Sequence, residues 1–145
     1  MNKNLKDESG MTLVESLMAI VILLIGLLAM AQVMAFCVVA SKNYGRDAGK
    51  TTVIARDKME ELSSLPFLSL TAGGSVDPAA PTTGYVEYFN LAGGTTTQAA
   101  AAYTRQWQVI SDSATVRRII VLVTSNKSIK YGVAPSTTMV TVKTP

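Results

Sequence analysis

The sequence predicts an α+β fold: one long N-terminal helix whose C-terminal half packs on a small antiparallel β-sheet. Three observations carry this. From Leu17 to Ala40 the chain is apolar, with Gln32 its one strongly polar side chain. The run continues without a breaker into an amphipathic stretch that reaches about Ser64. After Pro66 the texture changes to Gly-, Thr- and Ala-rich loops and then to alternating, β-branched segments.

The helix comes first. At 1.5 Å per residue the run from Leu17 to Ala40 spans about 36 Å, enough for a hydrocarbon core of about 30 Å. Beyond it, Tyr44, Ala48, Thr51, Ala55, Met59 and Leu62 recur at steps of three and four and predict one apolar face. Arg56 with Glu60, and Lys58 with Glu61, are helix neighbours of opposite charge expected on the other side. Pro66 ends the helix, because the residue before proline is pushed out of helical geometry. From Thr12 to Ser64 the helix is about 80 Å long. Gly45 and Gly49 read as a weakened turn rather than a helix-docking motif, since Arg46, Asp47 and Lys50 surround them. Gly26 lies inside the apolar run and permits close helix contact.

The remainder reads as loops and strands. Gly73-Gly74, Pro78, Pro81, Gly93-Gly94 and Thr95-Thr96-Thr97 mark a loop over residues 71–102, and Ala99 to Ala102 reads as part of it. Tyr85 to Phe89 is a short strand candidate within it. Tyr103 to Ile110 carries Tyr103, Trp107 and Val109 at two-residue spacing, interrupted by Arg105. Val116 to Thr124 is apolar on both faces from Ile119 to Val123, which suits a central strand. Thr138 to Lys143 alternates, with Val140 and Val142 on one face. Short polar connections favour an antiparallel meander.

Composition narrows the chemistry. The 145 residues include no histidine and one cysteine, Cys37, inside the apolar run. Histidine-dependent triads and histidine-ligated metal sites are excluded, and no cofactor or metal is expected. No disulfide can form within the chain, and Cys37 reads as a small buried hydrophobe. Asp77, Glu87 and Asp112 show no paired spacing. Lys127 and Lys130 beside Ser125 and Ser128 read as an ordinary turn, and that turn also explains the sequon Asn126-Lys127-Ser128. Arg117-Arg118 reads as a solvated strand end. A net charge of +3 without a basic stripe gives no reason to expect nucleic acid. The chain reads as a non-enzyme.

The junction at residues 10–15 is where chemistry is expected. Gly10-Met11-Thr12-Leu13-Val14-Glu15 places a glycine, a cut position and a carboxylate at the mouth of a membrane-length segment. An acid at mid-helix costs roughly 2.5–3.5 kcal/mol on insertion scales, so Glu15 calls for a partner. Cutting after Gly10 supplies one, an ammonium on Met11. A secretory signal peptide cut at Ala29-Met30-Ala31 fits less well. Asp7 and Glu8 offset Lys3 and Lys6, Glu15 falls where an apolar region should begin, and the apolar run passes Ala31.

Gly10 to Glu15, followed by Ser16-Leu17-Met18-Ala19, resembles the prepilin leader and N-terminal helix of type IV pilins. Ile25-Gly26-Leu27-Leu28-Ala29 most closely resembles one branch, the minor pilins known as pilus modification protein PilV. Met11 stands where the family usually has phenylalanine. Residues 53–68 and the aromatic-rich segment Tyr103-Thr104-Arg105-Gln106-Trp107 resemble the same branch in texture. The resemblance implies a pilin-like fold in four parts: a leader at 1–10, a membrane or filament-core half-helix at 11–40, an amphipathic half at 41–65, and a β-rich head at 66–145. It also implies cleavage after Gly10 and methylation of Met11 by prepilin peptidase, with Glu15 acting in assembly. The implied partners are other pilins and minor pilins, an inner-membrane assembly platform and the lipid bilayer. The implied location is the bacterial inner membrane, single-pass with a periplasmic C-terminal domain, and then the pilus at the cell surface. A positive-inside count opposes that orientation, since Lys42, Arg46 and Lys50 outnumber Lys3 and Lys6; long domains translocate largely regardless of charge. Two other readings share features: a pseudopilin of a type II secretion system, and a signal-anchored periplasmic binding domain.

Overall fold

The computed structural model describes residues 12–127 and 133–145. Its first element is a helix, α1, at Leu13–Ser64. It ends two residues before Pro66, as the proline requires. By compactness the chain divides at Lys42/Asn43 into an N-terminal unit and a head unit, Asn43–Pro145.

The described part of the N-terminal unit is apolar helix. Its side chains cover nothing within the unit: Leu13, Ile22 and Met34 are 83%, 70% and 72% exposed. Cys37 is exposed as well, which corrects the expectation of a buried thiol. An all-apolar helix has no core of its own to enter, so burial must come from lipid or from other chains.

In the head unit the last turns of α1 lie on an antiparallel sheet of five strands: β1 Gly73–Gly74, β2 Val86–Phe89, β3 Tyr103–Ser113, β4 Val116–Ser125 and β5 Ser136–Lys143. The order is β1-β3-β4-β5, and β2 also pairs with β3. Ile54, Ala55 and Leu62 of α1 meet Tyr103, Trp107, Val109, Ile119, Val121 and Val123 in one core, joined by Leu70 and Phe89. β4 is the central strand that its doubly apolar sequence predicts.

Three expectations change, and a fourth gains detail. The buried face of α1 is Asp47, Thr51, Ile54, Ala55, Lys58 and Leu62, and Tyr44 is exposed. The face is rotated toward two charged residues because the sheet supplies partners for them. Gly73-Gly74, expected in a loop, pairs with Val109 and Gln108. Only glycine fits at Gly74: its φ is +84°, and a Cβ there would meet the Trp107 carbonyl oxygen at 2.3 Å. Gln98–Ala100 forms a 3-10 turn inside the segment expected to be loop. Val140 and Val142 share a face of β5, as expected, and it is the exposed face. Met139, from the alternate row, packs against the core.

Candidate functional site

The residues predicted to act lie at the start of the chain. Gly10 and Met11 fall outside the described residues. Glu15 is in the first turn of α1 and exposed. Thr12 precedes the helix, and its carbonyl accepts the first helical bond, from the Ser16 N–H at 3.1 Å. Its Oγ1 accepts the Glu15 N–H at 3.3 Å. Thr12 is therefore an N-cap, and Thr12-Leu13-Val14-Glu15 has the spacing of a capping box. That T-x-x-E pattern is legible in the sequence beside the cut site, and it gives Glu15 a local role as well. A carboxylate in the first turn is also favoured by the helix dipole. Downstream, α1 is long and apolar enough to cross a membrane by length and composition, with a mean hydropathy of 2.7 in its most apolar window.

Residues 5–31 match the prokaryotic N-terminal methylation motif. The match includes Gly10, Met11, Glu15 and the apolar run as far as Ala31, and it indicates a type IV pilin- or pseudopilin-like precursor. Such proteins are generally structural rather than enzymatic. No curated protein and no solved structure matches the chain.

Two clusters of charged residues in the head unit fix the helix to the sheet. Lys58, buried against the sheet rather than on the outer side, donates to Glu61 Oε1 at 2.8 Å and to Glu87 Oε1 at 3.4 Å. Its Nζ lies 4.2 Å from the centre of the Trp107 ring. Arg105 is also buried. Its Nε donates to Glu87 Oε2 at 2.9 Å, its Nη2 pairs with the same oxygen, and its Nη1 donates to the Ile54 carbonyl at 3.0 Å. Arg105 thus belongs to the inward row with Tyr103 and Trp107 and does not break it. Glu87, which shows no paired spacing in sequence, is the shared anion of both cations.

A second cluster holds the other end. Tyr103 Oη donates to Asp47 Oδ1 at 2.9 Å, and Lys127 Nζ pairs with the same oxygen. Burial alone would raise the Asp47 pKa, but the hydrogen bonds from Lys127 and Tyr103 hold it below the ordinary value. Burial and the Asp47 hydrogen bond raise Tyr103. For Lys127, burial acts to lower the pKa, and the Asp47 bond outweighs it and raises the value. Lys127 is therefore a tie to the helix and not an ordinary turn residue; Ser128 and Lys130 lie outside the described residues. Asn126 donates to Thr104 Oγ1 at 2.7 Å, so its amide belongs to the hairpin end. Arg118 pairs with Asp112, Arg117 stacks on Phe67 at 4.8 Å, and Asp77 accepts from the Ala79 N–H at 2.9 Å in its own turn. Among the described residues no three His, Cys, Asp or Glu side chains gather where they could hold a metal.

Proposed function

We propose that the chain is a minor type IV pilin, a non-enzymatic subunit that supports pilus assembly in adhesion or motility. The observation that carries this is the methylation motif at residues 5–31, running directly into a membrane-length apolar helix with a carboxylate in its first turn. Prepilin peptidase cuts after Gly10 and methylates Met11. Residues 13–40 hold the protein in the inner membrane, and the head is exported. In a filament the exposed apolar half-helix packs with those of other pilins and minor pilins. There the Met11 ammonium of one subunit neutralises the Glu15 carboxylate of another. At about 4 Å and an effective dielectric near 20 this attraction is about 4 kcal/mol before desolvation, which cancels much of it. Its main contribution is then the axial register of subunits. Kinship with the PilV branch is supported by residues 25–29 and by the texture of the head.

Mass spectrometry of the protein from its native host tests the reading. The mature chain should begin at a methylated Met11. A terminus at Gln32 would establish a secretory signal peptide instead. The motif suits a pseudopilin equally, so a deletion strain should be examined for both pili and type II secretion. Loss of secretion with normal piliation would transfer the protein to the secretion system.

A further inference from the structure

Arg117 is the second residue of β4 and is half-buried. Stepping back by twos from the fully buried Val123, Val121 and Ile119 places it on the row that faces the core. Its register partners are Ser111 on β3 and Lys143 on β5. The guanidinium lies over the Phe67 ring at 4.8 Å, in the turn that follows α1. Sequence makes Arg117-Arg118 a solvated strand end, and the fold separates the two. Arg118 points to the other face and pairs with Asp112. Arg117 enters no ion pair among the described residues, and its Nε and Nη1 are buried without a hydrogen-bond partner.

A guanidinium cannot shed its charge by losing a proton. Two sealed donors are therefore an uncompensated cost, and in folded proteins such donors are exceptions. The neighbours supply no acceptor. Lys143 is itself a cation, donating to the Ser63 carbonyl at 2.5 Å and to the Leu65 carbonyl at the C-terminal end of α1, where the helix dipole favours positive charge. The carboxylates of the last helical turns are used elsewhere, Glu60 by Arg56 and Glu61 by Lys58. Nη2 is the one nitrogen of the group that is not sealed. It forms the side edge of the guanidinium with Nε and the end edge with Nη1. An acceptor that reaches Nη2 from solvent thus meets an orphaned donor on either edge.

We propose that Arg117 is an anion site that takes a carboxylate. Each edge presents two N–H groups side by side, which match the two oxygens of a planar carboxylate. Phe67 holds the plane from one face, and Lys143 adds positive potential from the next strand. A monoanion neutralises the one guanidinium; phosphate, with more charge and with oxygens out of the plane, is the poorer match. The carboxylate is that of a free organic acid or of an acidic side chain on another protein. Both share this chemistry, and they separate by experiment.

The test uses the full chain in detergent micelles, with sodium acetate as the probe and sodium chloride at equal ionic strength as the control. In NMR spectra acetate should shift the Arg117 Nε–Hε resonance saturably, at about tenfold lower concentration than chloride needs. The Phe67 and Lys143 amides should move with it. In Arg117→Lys, which keeps the charge and loses the fork, those amides should stay still while the rest of the spectrum remains native. A capped Gly-Asp-Gly peptide that saturates the site as readily as acetate makes the source a protein side chain; exclusion of that peptide while acetate binds makes it a free acid. A shift no greater than that with chloride overturns the proposal. So does amide movement retained in Arg117→Lys, or saturation by inorganic phosphate at lower concentration than acetate. The titration of the native chain decides even where the variant does not fold.

Discussion

Glu15 has two chemical explanations, and they separate by experiment. As a first-turn acid beside the Thr12 cap it stabilises its own helix, by about 0.3–1 kcal/mol. As the partner of a neighbour's Met11 ammonium it selects assembly. In the second case Glu15→Ala should spare membrane insertion and cleavage after Gly10. The mutant should accumulate in the inner membrane and be missing from sheared pili, with Glu15→Asp intermediate. Immunoblots of sheared filaments and membranes decide, and wild-type amounts of the alanine mutant in filaments would leave only the capping role. Arg105 poses the same kind of question inside the head. Removing one partner of a buried pair costs roughly 3–5 kcal/mol. Because Glu87 is partly solvated, Arg105→Met should cost about 3 kcal/mol, the low end of that range. Adding Glu87→Met should restore part of the loss, as denaturant titrations of the single and double mutants would show.

At the scale of elements, α1 is one helix with two kinds of surface. The half before Lys42 is apolar all round, and the half after it is held to the sheet by mixed contacts. Those contacts are unusually ionic for a helix on a sheet: Asp47, Lys58 and the end of the helix each meet a charged or polar partner from a strand or from the β4–β5 connection. The Asp47–Tyr103–Lys127 cluster sets a pH dependence. Asp47 has a depressed pKa, so its contribution is present above the ordinary carboxylate value of 3.8 and fades as pH falls through the folded-state pKa. Tyr103 and Lys127 have raised values. Their contributions are complete below the ordinary values of 10.0 and 10.5 and fade as pH rises through the folded-state pKa values. Thermal unfolding of the head should therefore show a stability plateau between these limits. Asp47→Asn should flatten the acid limb, and an unchanged acid limb in that mutant would assign the loss to other carboxylates.

At the scale of the whole molecule, the two units differ in how they bury apolar surface. The head unit has its own core, and the described residues of the N-terminal unit have none. A shortened chain beginning at Tyr44 should accordingly be soluble and monomeric, with a circular dichroism spectrum of mixed helix and strand. Reducing agent should leave its melting temperature unchanged, because Cys37, the one cysteine, has been removed.

Periodicity and composition determined the elements of this protein. A long apolar run has no alternative to helix or core, proline stops a helix, and β-branched alternation favours strands. α1, β3, β4 and β5 therefore stand within a few residues of where the sequence places them. The methylation motif was legible for a related reason: it is a short contiguous stretch of chain. What only the tertiary structure decided was pairing at a distance. Arg105 interrupts the apolar row of its strand in sequence, and in the fold Glu87 and the Ile54 carbonyl stand opposite it. Lys58 and Asp47 have the charge of solvated residues, and in the fold Trp107, Tyr103 and Lys127 meet them. Gly73-Gly74 has the composition of a turn, and β3 closes on it as a strand; the valines of β5 turn outward because register on β4 fixes which row faces the core. Local pattern reports what a residue prefers among its neighbours in sequence; a buried charge is stabilised by partners 18 to 80 residues away, and only the closed sheet brings them within reach.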